Sequence, residues 1–245
     1  MVASSSRDVH VERVMGTVVS LDMRAGSRDA VADAMRRLHD IDRRFSTYRS
    51  DSDIARLERG ELLPSDADDD VRWVLDRCAA LHRETDGYFD VRATGRLDPS
   101  ALVKGWAAQR AAEILDAGGL THYCLNVGGD VITRGGPWRV GIQHPHDRTA
   151  VAARVRAHDL AVATSGAYER GAHIRAPHGT PAGVVSVTVT GPDLGTADAY
   201  STAAFAMGID GPRWTLGLDG YEALTILTDG TVLHTPGFPL LEDDE

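Results

Sequence analysis

Leu97-Asp98-Pro99-Ser100-Ala101-Leu102-Val103-Lys104-Gly105-Trp106-Ala107 sets an acid, a hydroxyl, a lysine and a glycine in the opening turns of one helix. Asp98 suits the cap, and Pro99 suits the first helical position, where its missing N–H leaves nothing unpaired. Leu102, Val103, Trp106, Ala107, Ala111, Ile114 and Leu115 then recur at helical spacing until Gly118-Gly119 stop the run, so one face is core. Gly105 inside a helix costs about 1 kcal/mol relative to alanine, which implies a close approach to the backbone there. Lys104 falls on a different face from Leu102 and Trp106, so it is expected to serve a ligand and to matter little to folding. The pattern suits a phosphate-bearing ligand, and it equally describes a plain capped amphipathic helix.

To either side of this helix the periodicity changes repeatedly. Val11 to Met23 reads as a strand interrupted at Met15-Gly16-Thr17, and Arg28 to Arg44 reads as an amphipathic helix. Asp51 and Ser52 start a short helix to Leu57, and Asp66 to Arg83 forms another that ends at Asp86-Gly87. Strand patterns follow at Tyr123 to Val127, Val131 to Arg134, Trp138 to Gln143, Val151 to Ala157, Ala161 to Thr164 and Val184 to Thr190. Thr196 to Met207 reads as a helix closed by Gly208, and Glu222 to Thr228 and Thr231 to Leu233 flank Asp229-Gly230 as a two-residue hairpin. Helices and strands mix without regular βαβ alternation, which predicts an α+β fold.

With 245 residues, 42% of them apolar, the chain can bury a large core, and no segment has linker composition or an internal repeat. One domain spanning 1–245 is therefore expected, with 1–10 and 241–245 as flexible ends. The formal net charge of −10 argues against nucleic acid and against anionic membrane surfaces. An anionic ligand would need a local cation, from lysine, arginine or a bound divalent metal. No apolar run is long enough to insert in a membrane, and Met1 to His10 lacks the apolar core of a signal peptide, so a cytoplasmic location is expected. Cys78 and Cys124 lack ligand spacing and read as buried thiols; His144-Pro145-His146 lacks the companions of a zinc site.

Gly195-Thr196-Ala197-Asp198-Ala199-Tyr200-Ser201-Thr202-Ala203-Ala204 carries the second signal. With Thr196 as cap, Asp198 and Thr202 lie four apart on one helical face among alanines, a compact oxygen pair. A carboxylate and a hydroxyl can give a hard cation two ligands, with waters or phosphate oxygens completing its octahedron. An acid in the first turn that complements the helix dipole, beside a packed threonine, explains the same residues. Asn126-Val127-Gly128-Gly129-Asp130 suits either a tight turn or the passage of a ligand over bare backbone. Ala163-Thr164-Ser165-Gly166 reads as a hydroxyl-rich turn.

In this order the segments resemble the ApbE flavin transferase family, whose members move FMN from FAD onto a threonine or serine of a target protein. Met15-Gly16-Thr17 resembles the family's opening strand signature, Phe45-Ser46-Thr47-Tyr48 its FSTY, and Gly87-Tyr88-Phe89-Asp90 its G-x-FD turn. Leu97 to Ala107 is similar to LDLSAIAKGYA, Asn126 to Asp130 to the strand ending in two glycines and an acid, Ala161 to Gly166 to AVATSG, and Ala197 to Ala204 to DAxATA. His173-Ile174-Arg175-Ala176-Pro177 stands where the family usually has H-I-I-D-P, with Ala176 replacing the acid. Only Val91 to Leu97 separates Asp90 from Asp98, where the family usually carries a long insertion.

The resemblance implies a single α+β domain of ApbE, T-fold-like type, with a mixed, mainly antiparallel sheet and packed helices. It implies Mg²⁺ held by the Asp198 carboxylate, the Thr202 hydroxyl and the carbonyl of Ala101, and FAD as substrate across Met15, Tyr48, Phe89, Asp90, Val91, Asp98 and Lys104. His173 is the general base it implies, and an acceptor flavoprotein is the partner. One alternative is an FAD pyrophosphatase, in which water replaces the protein hydroxyl and FMN and AMP leave; the other, motivated by the shortened loop and Ala176, is a non-catalytic FAD-binding protein.

Overall fold

The computed structural model describes residues 7–24, 26–166 and 182–241. Met15 and Gly16 both take positive φ, 56° and 69°, and close a hairpin between β1 (Arg7–Val14) and β2 (Thr17–Arg24), with Val14 opposite Thr17. Two successive left-handed residues give the primed turn whose twist matches its strands. The interrupted strand of the sequence reading is therefore two strands, and a non-glycine at Met15 costs about 1–2 kcal/mol in that conformation. Arg7–His10, expected within a flexible end, are paired in β1. Gly128 and Gly129, at φ 60° and 99°, make the equivalent turn between β3 (Tyr123–Val127) and β4 (Asp130–Arg134).

Six further strands follow among the described residues: β5 (Trp138–His144), β6 (Asp147–Ala157), β7 (Ala161–Gly166), β8 (Val184–Gly191), β9 (Glu222–Leu227) and β10 (Val232–His234). Among the described residues, eight strands form one sheet in the order β1-β2-β3-β4-β7-β8-β9-β10, and every pairing is antiparallel. The Leu227 N–H donates to the Thr231 carbonyl at 2.9 Å, so the loop inside that bond is Thr228 to Gly230, three residues rather than two, and Gly230 takes the left-handed position at φ 86°. Paired apart from this sheet, β5 and β6 form a ribbon.

Among the described residues the α-helices are α1 (Arg28–Phe45), α2 (Asp53–Glu58), α3 (Asp69–Glu84), α4 (Ser100–Ala117), α5 (Leu194–Ala206) and α6 (Gly211–Thr215). Strand alternation divides the core in two. Ala161 and Ala163 of β7 face the helices, whereas Val162 joins Val140, Ile142 and Val155 of the ribbon. With both faces covered, β7 is buried along its whole length. At the far end of the chain Leu241, expected to open a flexible tail, donates its N–H to the Arg154 carbonyl at 2.8 Å and is buried.

The central helix differs from the amphipathic expectation. Buried residues surround α4, from Leu102, Val103 and Gly105 through Gln109 to Leu115, because the helix sits beneath α1 and α5 rather than at the surface. What approaches Gly105 is α5: a Cβ there would fall 2.5 Å from the Leu194 carbonyl oxygen and 2.8 Å from Asp198 Cβ. Gly195 returns the contact, with a Cβ position 3.2 Å from the Trp106 backbone. Trp106 is enclosed by Phe45 edge-on at 5.7 Å, by Trp73 stacked at 5.8 Å, and by the Arg37 guanidinium 5.9 Å from its centroid.

Burial on α3 pushes the Cys78 thiol up to about 12. The thiolate is the reactive form, so Cys78 is expected to resist an aromatic disulfide reagent at pH 8 in the native protein. Thiol counting should give no more than one reactive group per folded chain, the half-buried Cys124, and two after unfolding in denaturant. Two rapidly reacting thiols in the native protein would contradict the packing of α3.

Candidate functional site

The antiparallel register brings the turn Met15-Gly16, the turn Gly128-Gly129 and the end of β7 to one end of the sheet. The Gly128 N–H donates to the Val18 carbonyl at 3.1 Å, and Thr17 lies so close that a Cβ on Gly128 would meet its hydroxyl at 2.6 Å. Of the two readings of Asn126 to Asp130, the tight turn is the one observed: Asn126 Oδ1 accepts the Gly129 N–H at 2.9 Å. Over this end lie the first turns of α4 and the middle of α5.

Asp130, just past the turn, points to α4. Its Oδ2 lies 2.8 Å from Lys104 Nζ, and its Oδ1 accepts the Thr164 N–H at 3.3 Å. The carboxylate is 1% exposed and the lysine side chain 13%. One buried ion pair thus ties α4 to β4 and β7, which corrects the expectation that Lys104 matters little to folding. Removing one member of a buried pair leaves the other charge uncompensated.

Asp198, 2% exposed on α5, accepts the Gly105 N–H on Oδ2 at 3.1 Å. Helical geometry aims that same N–H at the carbonyl of Ala101, so the carboxylate and the Ala101 carbonyl converge on one point of α4. This approach requires the missing Cβ of Gly105. Thr202, one turn along α5, places its hydroxyl 3.1 Å from Ser165 Oγ. Among the described residues no three His, Cys, Asp or Glu side chains gather into a metal cage. A cation at Asp198 would therefore rely on a hydroxyl and a carbonyl beside one carboxylate, an all-oxygen donor set that fits a hard divalent ion.

Helix ends shift slightly from the sequence reading. Asp193, not Thr196, caps α5 by accepting the Thr196 N–H at 2.7 Å, so the cap lies three residues earlier. In α4 Pro99 occupies the cap position, while Asp98 accepts the Ser100 N–H at 3.0 Å. Thr164 and Ser165 are not in a turn. They lie on β7, paired with Thr188 and Val187, and alternation sends Ser165 alone toward α5.

The other expected contacts are spread around this end. Met15 is half-buried at its turn, and Tyr48, beyond the end of α1, is 99% exposed. Phe89 is 1% exposed with its ring in the core, whereas Asp90 is exposed and accepts the Arg92 N–H at 2.8 Å. Half-buried Val91 accepts the Asp98 N–H at 2.8 Å, closing the short connection. Glu58 of α2 holds that loop, accepting the Leu97 N–H at 3.2 Å and an Arg92 N–H at 3.1 Å. His173 and its neighbours through Pro177 lie outside the described residues.

Asp130 as the anchor of Lys104, and Ser201 beside Thr202, were not singled out by the sequence reading. Their signal in sequence is slight: an acid after a glycine turn, and a serine among alanines.

A sequence model of the ApbE family matches residues 15–95 and 91–225, two stretches that meet at the short connection. The FAD:protein FMN transferase of Salmonella typhimurium is 32% identical over 156 residues, covering 57% of this chain and 45% of that protein. The chain thus spans about half the length of the curated relatives it matches. The flavin transferase ApbE from Vibrio cholerae superposes with a TM-score of 0.83 at 23% identity, covering 96% of this chain and 100% of that one. The ApbE protein from Thermotoga maritima gives 0.82 at 22% identity, covering 94% and 97%. At these identities the superpositions show a shared fold.

Proposed function

The chain belongs to the ApbE family, and from that premise we propose that it is a Mg²⁺-dependent transferase moving FMN from FAD to a threonine or serine hydroxyl of an acceptor flavoprotein. The observation that carries this reading is the convergence of the buried Asp198 carboxylate on the Gly105 N–H, beside the Ala101 carbonyl and one turn from Thr202. The relatives' name, FAD:protein FMN transferase, supports the substrate.

In the reaction the acceptor hydroxyl oxygen bonds to the FMN-side phosphorus, the P–O–P bond breaks, and AMP leaves with the bridging oxygen. Mg²⁺, when bound, supplies charge neutralisation at the pyrophosphate. Asp198, Thr202 and Ala101 would hold it. His173 takes the hydroxyl proton, and Lys104, fixed in place by Asp130, adds a cation near the phosphates or flavin. Met15, Tyr48, Phe89, Asp90, Val91 and Asp98 are proposed to line the FAD site.

AMP release measured with and without an acceptor tests the reaction class. Release that requires the acceptor supports transfer; equal release without it identifies a pyrophosphatase, and FAD binding with no release identifies a binding protein. Asp198→Ala is expected to remove most of the Mg²⁺ dependence, and Thr202→Val, which deletes a neutral ligand, to act more weakly in the same direction. Undiminished Mg²⁺-dependent AMP release by Asp198→Ala would contradict the metal assignment.

A further inference from the structure

Three hydroxyl groups stand in line beside Asp198. Ser201 Oγ donates to the Asp198 backbone carbonyl at 2.9 Å, Ser165 Oγ lies 2.9 Å from Ser201 Oγ, and Thr202 Oγ1 lies 3.1 Å from Ser165 Oγ. Ser201 is fully buried and Ser165 nearly so. Each hydroxyl has a single proton to give. A carbonyl can only accept, so the proton of Ser201 goes to Asp198. Ser201 must then accept from Ser165, and Ser165, its proton committed, must accept from Thr202. Only this arrangement satisfies all three contacts, and it turns the Thr202 proton inward.

Left to itself, a helical threonine commonly donates to the carbonyl four residues back, which for Thr202 is Asp198. Ser201 already uses that carbonyl. The Thr202 hydroxyl is thereby diverted across to β7, with its lone pairs free to accept from outside the chain of hydroxyls. An oxygen that only accepts is what a hard cation requires of a neutral ligand.

We propose that Ser165 and Ser201 are positioning residues that fix the proton of Thr202, so that its oxygen is presented beside Asp198 as a preset ligand for the divalent cation. This rests on reading Asp198 and Thr202 as the metal ligands. It assigns the buried hydroxyl pair a role in metal affinity rather than in joining β7 to α5 alone.

The test is Mn²⁺ affinity, read from the electron paramagnetic resonance signal of free Mn²⁺ in the presence of saturating FAD, on the full chain. Ser165→Ala and Ser201→Ala are each expected to weaken Mn²⁺ binding about five- to tenfold, the size of one lost hydrogen bond, with an intact cooperative thermal transition. Because both act through Thr202, the double variant Ser165→Ala, Thr202→Val should bind no more weakly than Thr202→Val alone. Wild-type affinity in both serine variants, or a Ser165→Ala loss that adds in full to that of Thr202→Val, would overturn the proposal while leaving the metal site standing. Wild-type affinity in Asp198→Ala would instead overturn the metal site itself, and the positioning role with it.

Discussion

Replacing Lys104 by methionine is expected to destabilise the fold by about 3–5 kcal/mol, the cost of leaving a buried charge without its partner. Asp130 is 1% exposed and holds Lys104 Nζ at 2.8 Å, so the aliphatic replacement fills the lysine stem's space but leaves the carboxylate uncompensated. Trp106→Ala, which empties a ring site enclosed by Phe45, Trp73 and Arg37, is expected to cost the same about 3–5 kcal/mol by a different route, lost burial plus a cavity. The two are separable. Adding Asp130→Asn to Lys104→Met removes the stranded charge, keeps an acceptor for the Thr164 N–H, and should recover part of the loss; the same change cannot rescue Trp106→Ala. Denaturant unfolding of the four variants checks this, and a Lys104→Met midpoint equal to wild type would contradict a structural role for the pair.

Removing the proposed base, His173→Ala, is expected to lower transfer by roughly 10²–10⁴-fold, the usual contribution of general acid–base catalysis, while FAD and Mn²⁺ binding persist. Rapid-quench assays of AMP release in the presence of an acceptor would read the loss. Equal transfer by wild type and His173→Ala would remove His173 from the mechanism and direct attention to His178, nearby in the sequence.

Much of this arrangement could be read from periodicity, because the elements that matter most carry strong local signals. Ser52 caps α2 where the sequence suggests a helix start, and each observed strand from β3 to β9 overlaps an expected run. The errors have local causes. Met15 in a left-handed conformation conceals a hairpin, since the strongest turn signal is glycine or asparagine at both positions. Ser165 reads as a turn residue by composition, yet pairing with Val187 on a strand buried on both faces outweighs that tendency. Burial all around α4 follows from neighbours far away in sequence, which no single helical pattern contains.

The site divides along the same line. Asp198 and Thr202 share a face by helical spacing alone, so their pairing is a local property. That the carboxylate reaches the Gly105 N–H, and that Asp130 holds Lys104, depends on the crossing of α4 with α5 and with the β3–β4 turn. Such contacts join residues 93 and 26 positions apart (Gly105 to Asp198 and Lys104 to Asp130) and leave only small hints, a glycine inside a helix and an acid after a turn.

The most direct measurement is the intact mass of a flavoprotein acceptor after incubation with this chain, FAD and Mg²⁺. The acceptor is expected to gain one FMN through a phosphoester, AMP to form in equal amount, and chelation of the metal or Asp198→Ala to suppress the gain. An acceptor of unchanged mass, with FMN and AMP released free or with FAD bound and intact, would contradict it.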